Sequence, residues 1–218
     1  VNKLPAGRGF GEPLQLMVDL APEDKVTAMF DLSHDKYLVC GKGGYGFVTE
    51  ADNLRSQTKS GKQVLNLVKA DSADFCVPVI GNLVATVSSA KKLSIFPVEE
   101  VSEMTRGKGV RLMKLRGEVL ESLVVFDNRA GLGFSGGAKD RVVEELDKWF
   151  GHRGVVGKLP PHGFTKDIEI FAPEVPESKK DEAQALPGDN LSRDQIRSEK
   201  DIDRLIKLAT KPIPEDAE

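Results

Sequence analysis

The chain has 218 residues, 39% of them hydrophobic and 30% charged, with a formal net charge of −3 and a mean hydropathy of −0.28. That is enough chain to bury the core of one or two domains, and it excludes a disulfide-stapled miniprotein. It also excludes a membrane span, because the longest charge-free stretch, residues 75–90, is broken by Pro78, Gly81 and Asn82 and is shorter than the roughly 20 apolar residues a bilayer helix needs. The opening, VNKLPAGRGFGEP, starts with Val and has no apolar signal core, so it predicts no secretion leader and reads as part of something longer. Cys40 and Cys76 each sit among aliphatic residues and read as buried free thiols in a reducing, cytoplasmic setting. The histidines, His34, His152 and His162, have no second ligand type at a metal-binding spacing, so no metal site is expected.

Residues 1–127 are dense in short apolar runs broken by Gly, Asp, Asn, Ser or Lys. Tyr37–Cys40, Phe47–Thr49, Val64–Val68, Leu83–Val87, Leu93–Phe96 and Leu123–Phe126 are each too short for helices and are flanked by turn formers, which predicts an all-β domain over 1–171. The stretch 75–90 reads as buried strands. A helix is predicted over 141–150, where Val142, Val143 and Leu146 share one face. Trp149 and Phe150 then pack that helix across the end of the domain, with a base-stacking platform as the alternative.

The runs repeat. Gly11, Gly61 and Gly109 each open the form Gly-x-x-aliphatic, with Met17, Leu67 and Leu115 three residues further on, so the unit returns after 50 and then 48 residues. Val48 and Ile95, and then Leu54 and Val101, recur at a shift of 47. Units of this length with about four strands each are what propeller-like folds are made of, since one blade cannot bury its faces without neighbours. Two complete units and the start of a third are expected.

Each repeat glycine follows a basic residue: Arg8, Lys59, and the pair Arg106 and Lys108. Arg55, Lys62 and Arg111 lie close by, and equivalent blade positions would place these cations along one rim. The acidity lies elsewhere. Residues 172–218 hold 8 Lys and Arg against 12 Asp and Glu, which leaves 23 against 22 for 1–171.

The tail 172–218 lacks aromatic residues and reads as a charged, mostly disordered linker. Ser192 and Gln195 suggest a capping box, and Ile202, Leu205, Ile206 and Ala209 share a face, which predicts a short amphipathic helix over 193–210. It is either a solvent helix or a partner-docking one. Two stretches fit the dinucleotide fingerprint, Gly41 to Gly46 and Gly131 to Gly136. The first runs into another strand and reads as a hairpin turn. The second lies between a strand and the predicted helix, but no βαβ continuation follows. Neither Tyr37 nor Tyr45 lies in an Arg-Tyr context, and both read as structural.

The segments GRGFGEPL (7–14), GGYGFVTEADNL (43–54), TKSGKQVLNL (58–67), LSIFPVEEV (93–101) and RGKGVRLMKL (106–115) resemble the C-terminal domain of the A subunit of bacterial DNA topoisomerase IV, itself related to that of the gyrase A subunit. ELDKWFGHRG and GKLPPHGF, near 145–164, resemble the end of that protein in some bacteria. The resemblance implies a β-pinwheel that holds or bends duplex DNA on a basic edge, with Arg8, Arg55, Lys59, Lys62, Arg106, Lys108 and Arg111 as the DNA-binding candidates and no catalytic residue in this segment. It implies ATP and Mg for the whole enzyme but no cofactor here. It further implies a second A subunit, together with the B subunit, as partners, a role in chromosome segregation, and a nucleoid-associated place in the cytoplasm. The glutamine- and arginine-rich box that gyrase uses for wrapping is absent. A protein-interaction scaffold without a DNA role is the rival expectation, and the near-neutral charge of 1–171 favours it.

Overall fold

The computed structural model describes residues 13, 16, 18–21, 23–68, 71–136, 139–164, 169–182, 186 and 187. The chain divides into two compact units, 1–184 and 185–218, and the strands below all lie in the first. Arg8 and the expected helix 193–210 lie outside the described residues, and so does most of the tail read as disordered. Among the described residues no helix is long and apolar enough to cross a membrane.

The first sheet has the order β3–β1–β2–β6, built from β1 (Lys36–Gly41), β2 (Tyr45–Glu50), β3 (Ala73–Pro78) and β6 (Val110–Arg111), with a one-turn helix α1 (Ala51–Leu54) after β2. The second is β5–β4–β7, from β4 (Leu83–Ser88), β5 (Leu93–Pro97) and β7 (Leu120–Phe126). The third is β10–β8–β9, from β8 (Leu132–Ser135), β9 (Arg141–Val143) and β10 (Glu169–Phe171). All pairings within the three sheets are antiparallel. The hairpins β1–β2, β4–β5 and β8–β9 begin at Lys36, Leu83 and Leu132, which are 47 and 49 residues apart.

The repeat also holds at the level of register. Leu38 pairs with Val48, and Ala85 with Ile95, each residue shifted by 47. The outer edge of each of the first two hairpins is covered by chain from the following unit. Gly46 pairs with Val110 and Val48 with Glu103; in the next sheet Leu93 pairs with Lys158 and Ile95 with Phe150. This exchange of edge strands between units is a pinwheel arrangement, and it leaves those edges protected from foreign pairing. Leu38, Val48, Val84, Phe96, Leu112 and Met113, drawn from both of the first two units, are buried in one cluster. The middle strand β4 is buried at every position, so its sequence, LVATVS, shows no two-residue alternation.

The helix expected over 141–150 is absent. Residues 141–143 form β9, paired with β8, and a turn follows. The apolar spacing there suits a helix, but the backbone has other partners. The Ile95 N–H donates to the Trp149 carbonyl at 3.0 Å and the Gly151 N–H to the Ile95 carbonyl at 3.0 Å, which closes the β5 edge. Trp149 is packed rather than offered for stacking, with Nε1 donating to the Leu159 carbonyl at 2.7 Å. Val64–Val68 is likewise not a strand; only Leu65 bridges, to Gly107. The second fingerprint stretch is largely β8, where a Cβ on Gly133 would lie 2.4 Å from the Phe171 ring, so that glycine serves sheet pairing with β10. Residues 172–182, within the expected linker, hold a 3₁₀ turn at Glu177–Lys179. They are fastened by Arg129 Nη1, which donates to the carbonyls of Lys180 and Glu182 at 2.8 and 2.9 Å.

Both thiols lie on the first sheet. Burial pushes Cys40 far up, with the charge of Asp71 adding to it, and burial alone pushes Cys76 up to about 12. At pH 8 only about one Cys76 in ten thousand is then a thiolate. In a disulfide-exchange assay at that pH the native protein should release almost no chromophore, and two equivalents should appear once denaturant is added. One fast equivalent from the native protein would contradict this.

Candidate nucleic-acid interface

The strongest cationic stretch is Met104–Gly117, which holds Arg106, Lys108, Arg111, Lys114 and Arg116 and no acidic residue. Its backbone is fixed by glycine. Gly109 has φ +77°, and a Cβ there would lie 2.0 Å from the Gly46 carbonyl oxygen, so the loop rests directly on β2. Beyond it, Arg111 stands opposite Tyr45 in the register of β6 and β2. Arg111 donates to the Tyr45 hydroxyl oxygen from Nε at 3.0 Å and from Nη2 at 2.6 Å, and Lys108 Nζ lies 3.9 Å from the Tyr45 ring centroid. The hydrogen bond from Arg111 is the largest influence on the phenol and, with the charges of Arg111 and Lys108, holds it below its ordinary value against the opposing effect of burial.

The neighbouring cations come from the preceding unit. Gly107 donates its N–H to the Val64 carbonyl and accepts from the Asn66 N–H, so residues 64–66 run beside 107. Arg106 Nη2 reaches Gln63 Oε1 at 3.4 Å, next in the chain to Lys62. Lys62, Arg106, Lys108 and Arg111 therefore line one edge of the first sheet. Lys59 is exposed, and its carbonyl accepts from the Asp19 N–H at 3.0 Å. Arg55 is set apart. It follows α1 beyond the far end of β2 from Tyr45, roughly 17 Å away by strand rise, and its Nε lies 3.4 Å from Asp52.

The cations of this edge lie close together and lack acidic partners, whereas several cations elsewhere are neutralised. Lys36, Lys42, Lys91, Lys92, Arg129 and Lys179 are each paired, with Glu103, Asp74, Glu121, Glu118, Asp127 and Glu144 respectively. Lys59, Lys62, Arg106, Lys108 and Arg111 have no carboxylate within 4.0 Å among the described residues. Nor do three potential metal ligands gather anywhere among them.

The sequence reading misses several residues of this region. Tyr45 reads as a structural turn residue, yet it anchors two cations. Arg153 and Lys158 continue the basic positions into the next unit. Gly157 follows Gly109 by 48 residues and is blocked in the same way, a Cβ there lying 2.6 Å from the Leu93 carbonyl oxygen. The missed signal is that recurrence, hidden because Pro160 stands where the repeat has an aliphatic residue. Arg153 is occupied as a staple, with Nε donating to the Glu100 carbonyl at 2.8 Å and Nη1 to the Arg111 carbonyl at 3.3 Å.

The family model for the DNA gyrase C-terminal domain, a β-propeller, matches residues 35–79 and 84–126. The chain is 34% identical over 167 residues to the DNA topoisomerase 4 A subunit of Rickettsia bellii and 38% identical over 165 residues to that of Caulobacter vibrioides. These matches cover 76% and 75% of this chain but 23% and 22% of the relatives. The chain thus spans just under a quarter of the length of the curated relatives it matches. Among solved structures, the E. coli ParC C-terminal domain matches with a TM-score of 0.63 at 27% identity, covering 78% of this chain and 74% of that one. A gyrase A C-terminal domain at 20% identity and a TM-score of 0.53 shares the fold. With the repeat register and the edge-strand exchange, these matches establish that the chain belongs to the family of C-terminal β-propeller domains of the topoisomerase IV and gyrase A subunits.

Proposed function

We propose that this domain binds duplex DNA without sequence preference along the edge formed by Lys62, Arg106, Lys108 and Arg111, with Lys59 beside it. The observation that carries this reading is the gathering of Lys62, Arg106, Lys108 and Arg111, none with a carboxylate partner among the described residues, along one sheet edge. Unpaired Lys and Arg along one edge suit the backbone of a nucleic acid, whose phosphates carry no sequence information. In the whole enzyme the domain then holds or bends the DNA segment to be transported, during topology change and chromosome segregation at the nucleoid. Cleavage, ATP hydrolysis and Mg dependence belong on this reading to other regions of a complex that contains a second A subunit together with the B subunit.

Fluorescence anisotropy on duplexes of unrelated sequence tests this. With four phosphates neutralised, log affinity should fall against log salt with a slope near −3.6, about −0.9 per phosphate. The affinities for an AT-rich and a GC-rich duplex should agree within about threefold, since a recognised base pair is worth more than that. No measurable duplex binding at low salt would leave the scaffold reading in its place.

A further inference from the structure

From the geometry around Tyr45 we infer that Tyr45, Lys108 and Arg111 form a single seat for one backbone phosphate of the duplex, in which the tyrosine hydroxyl both aims the guanidinium and donates its own proton to the phosphate. The inference rests on the DNA-binding reading and adds a neutral residue to a surface so far described by its charges.

The seat is held rigidly from both sides. On one side the turn 41–44 is pinned by Asp71, whose Oδ1 accepts the N–H groups of Gly43 and Ser72 at 2.8 Å each. A Cβ on Gly43 would lie 2.7 Å from Asp71 Oδ2, so the glycine lets the turn close onto that carboxylate without displacing it. Gly44 donates to the Gly41 carbonyl at 2.9 Å and accepts from the Leu112 N–H at 2.8 Å, which fixes the start of β2, and with it Tyr45, against the loop after Arg111. On the other side, Gly109 resting on Gly46 sets where Lys108 leaves the chain. The three side chains thus meet because two glycine-rich turns from successive units are bound to each other.

The chemistry at the meeting point is incomplete without an anion. Both guanidinium bonds end on the one phenolic oxygen, which is acting as acceptor. The hydroxyl hydrogen must then point away from Arg111, and no described group accepts it. Arg111 still has N–H groups free, Lys108 has three, and no described carboxylate lies near either. O–H, ammonium and guanidinium donors gathered around one ring, with nothing to receive them, match a tetrahedral oxyanion that accepts several hydrogen bonds at once. A phosphodiester of a duplex fits better than a free anion, because Lys62 and Arg106 continue the same edge. The lowered phenol agrees with this: a phosphate placed among the two cations should offset their effect and move the phenol back up.

The full chain can be tested with Tyr45→Phe, which keeps the ring beneath Lys108 and removes only the hydroxyl. The expected result is about fivefold weaker duplex binding, the loss of one modest hydrogen-bonding group, with the slope of log affinity against log salt unchanged because a phenol displaces no counterion. Arg111→Gln should instead flatten that slope by about 0.9. The chain has only two tyrosines, so ¹³Cζ-labelled tyrosine gives two signals, and the one missing in Tyr45→Phe is assigned. Its titration should move to higher pH when a duplex of about 20 base pairs is added, and should stay in place with inorganic phosphate at equal ionic strength. If the wild type binds duplex while Tyr45→Phe binds equally well and the Tyr45 signal is unmoved, the seat is wrong and the DNA reading survives. A shift produced equally by inorganic phosphate makes the cluster a general anion site and overturns the assignment to the duplex. If the wild type binds no duplex, both readings fall.

Discussion

Lys108→Glu combined with Arg111→Glu should cost the domain most of its hold on duplex DNA. Removing two phosphate contacts flattens the salt slope by about 1.8, which at 0.1 M salt corresponds to roughly a 60-fold weaker complex relative to a 1 M reference. Repulsion from the two new carboxylates adds to that figure. Folding should be nearly indifferent, since neither cation has a carboxylate partner among the described residues and exposed charges contribute little to stability. A thermal melt within a few degrees of the wild type would show that the fold persists. Lys139→Glu, an exposed position in the turn before β9, makes a control off the edge and should change affinity less than about twofold, the scale of a screened charge beyond a Debye length. Equal losses from both variants would mean that binding follows net charge and not this edge.

The fold was legible where the repeat writes itself into side chains. Val48 and Ile95 stand 47 apart in the sequence, and they occupy equivalent rungs, opposite Leu38 and Ala85. Leu54 likewise ends α1, and Val101 directly follows the equivalent 3₁₀ turn Val98–Glu100, because each of the first two hairpins leads into a short helical turn. Edge pairing was not legible. Val64–Val68 has strand composition but a single bridge, whereas Phe150 and Lys158, in a stretch rich in Gly and Pro, cover the edge of β5. Periodicity reports which side chains are buried and says little about which carbonyl receives which N–H, so a segment that crosses between units can have either appearance. The same blindness produced the helix over 141–150.

The candidate edge was legible as charge but not as geometry. Five of its cations could be picked out by their nearness to repeat glycines, but the sequence does not say that Lys91 and Lys92 are neutralised while Lys59 and Arg106 are not. The separation comes from Glu121 in β7 and Glu118 just before it, which reach Lys91 and Lys92 from 30 and 26 residues away. Tyr45 was hidden for the complementary reason: its partner Arg111 is 66 residues distant and meets it only through the pairing of β2 with β6.

That pairing should be the most vulnerable point of the fold, and two repeat-equivalent glycines show why. Gly61 and Gly109 both have a left-handed backbone, φ +69° and φ +77°. An alanine at Gly61 meets nothing within 4 Å, so Gly61→Ala should cost only the left-handed penalty of about 1 kcal/mol. At Gly109 the same Cβ would lie 2.0 Å from the oxygen, 2.3 Å from the carbon and 3.0 Å from the Cα of Gly46, all of it backbone that cannot rotate aside. Relief requires β6 to lift from β2, which opens the rungs at Gly46 and Tyr45, the bond from the Leu112 N–H to the Gly44 carbonyl, and the packing of Leu112 and Met113, which are fully buried. Loosening two buried side chains of that size, on top of the backbone penalty, puts Gly109→Ala at about 4 kcal/mol. Urea denaturation followed by circular dichroism measures both variants, and the expected outcome is a midpoint shift several times larger for Gly109→Ala. Duplex affinity of the folded fraction should fall with it, because Lys108 and Arg111 are placed by this contact. Equal midpoint shifts would show that the positive φ alone fixes these glycines and that the seating of the loop on Gly46 contributes nothing to stability.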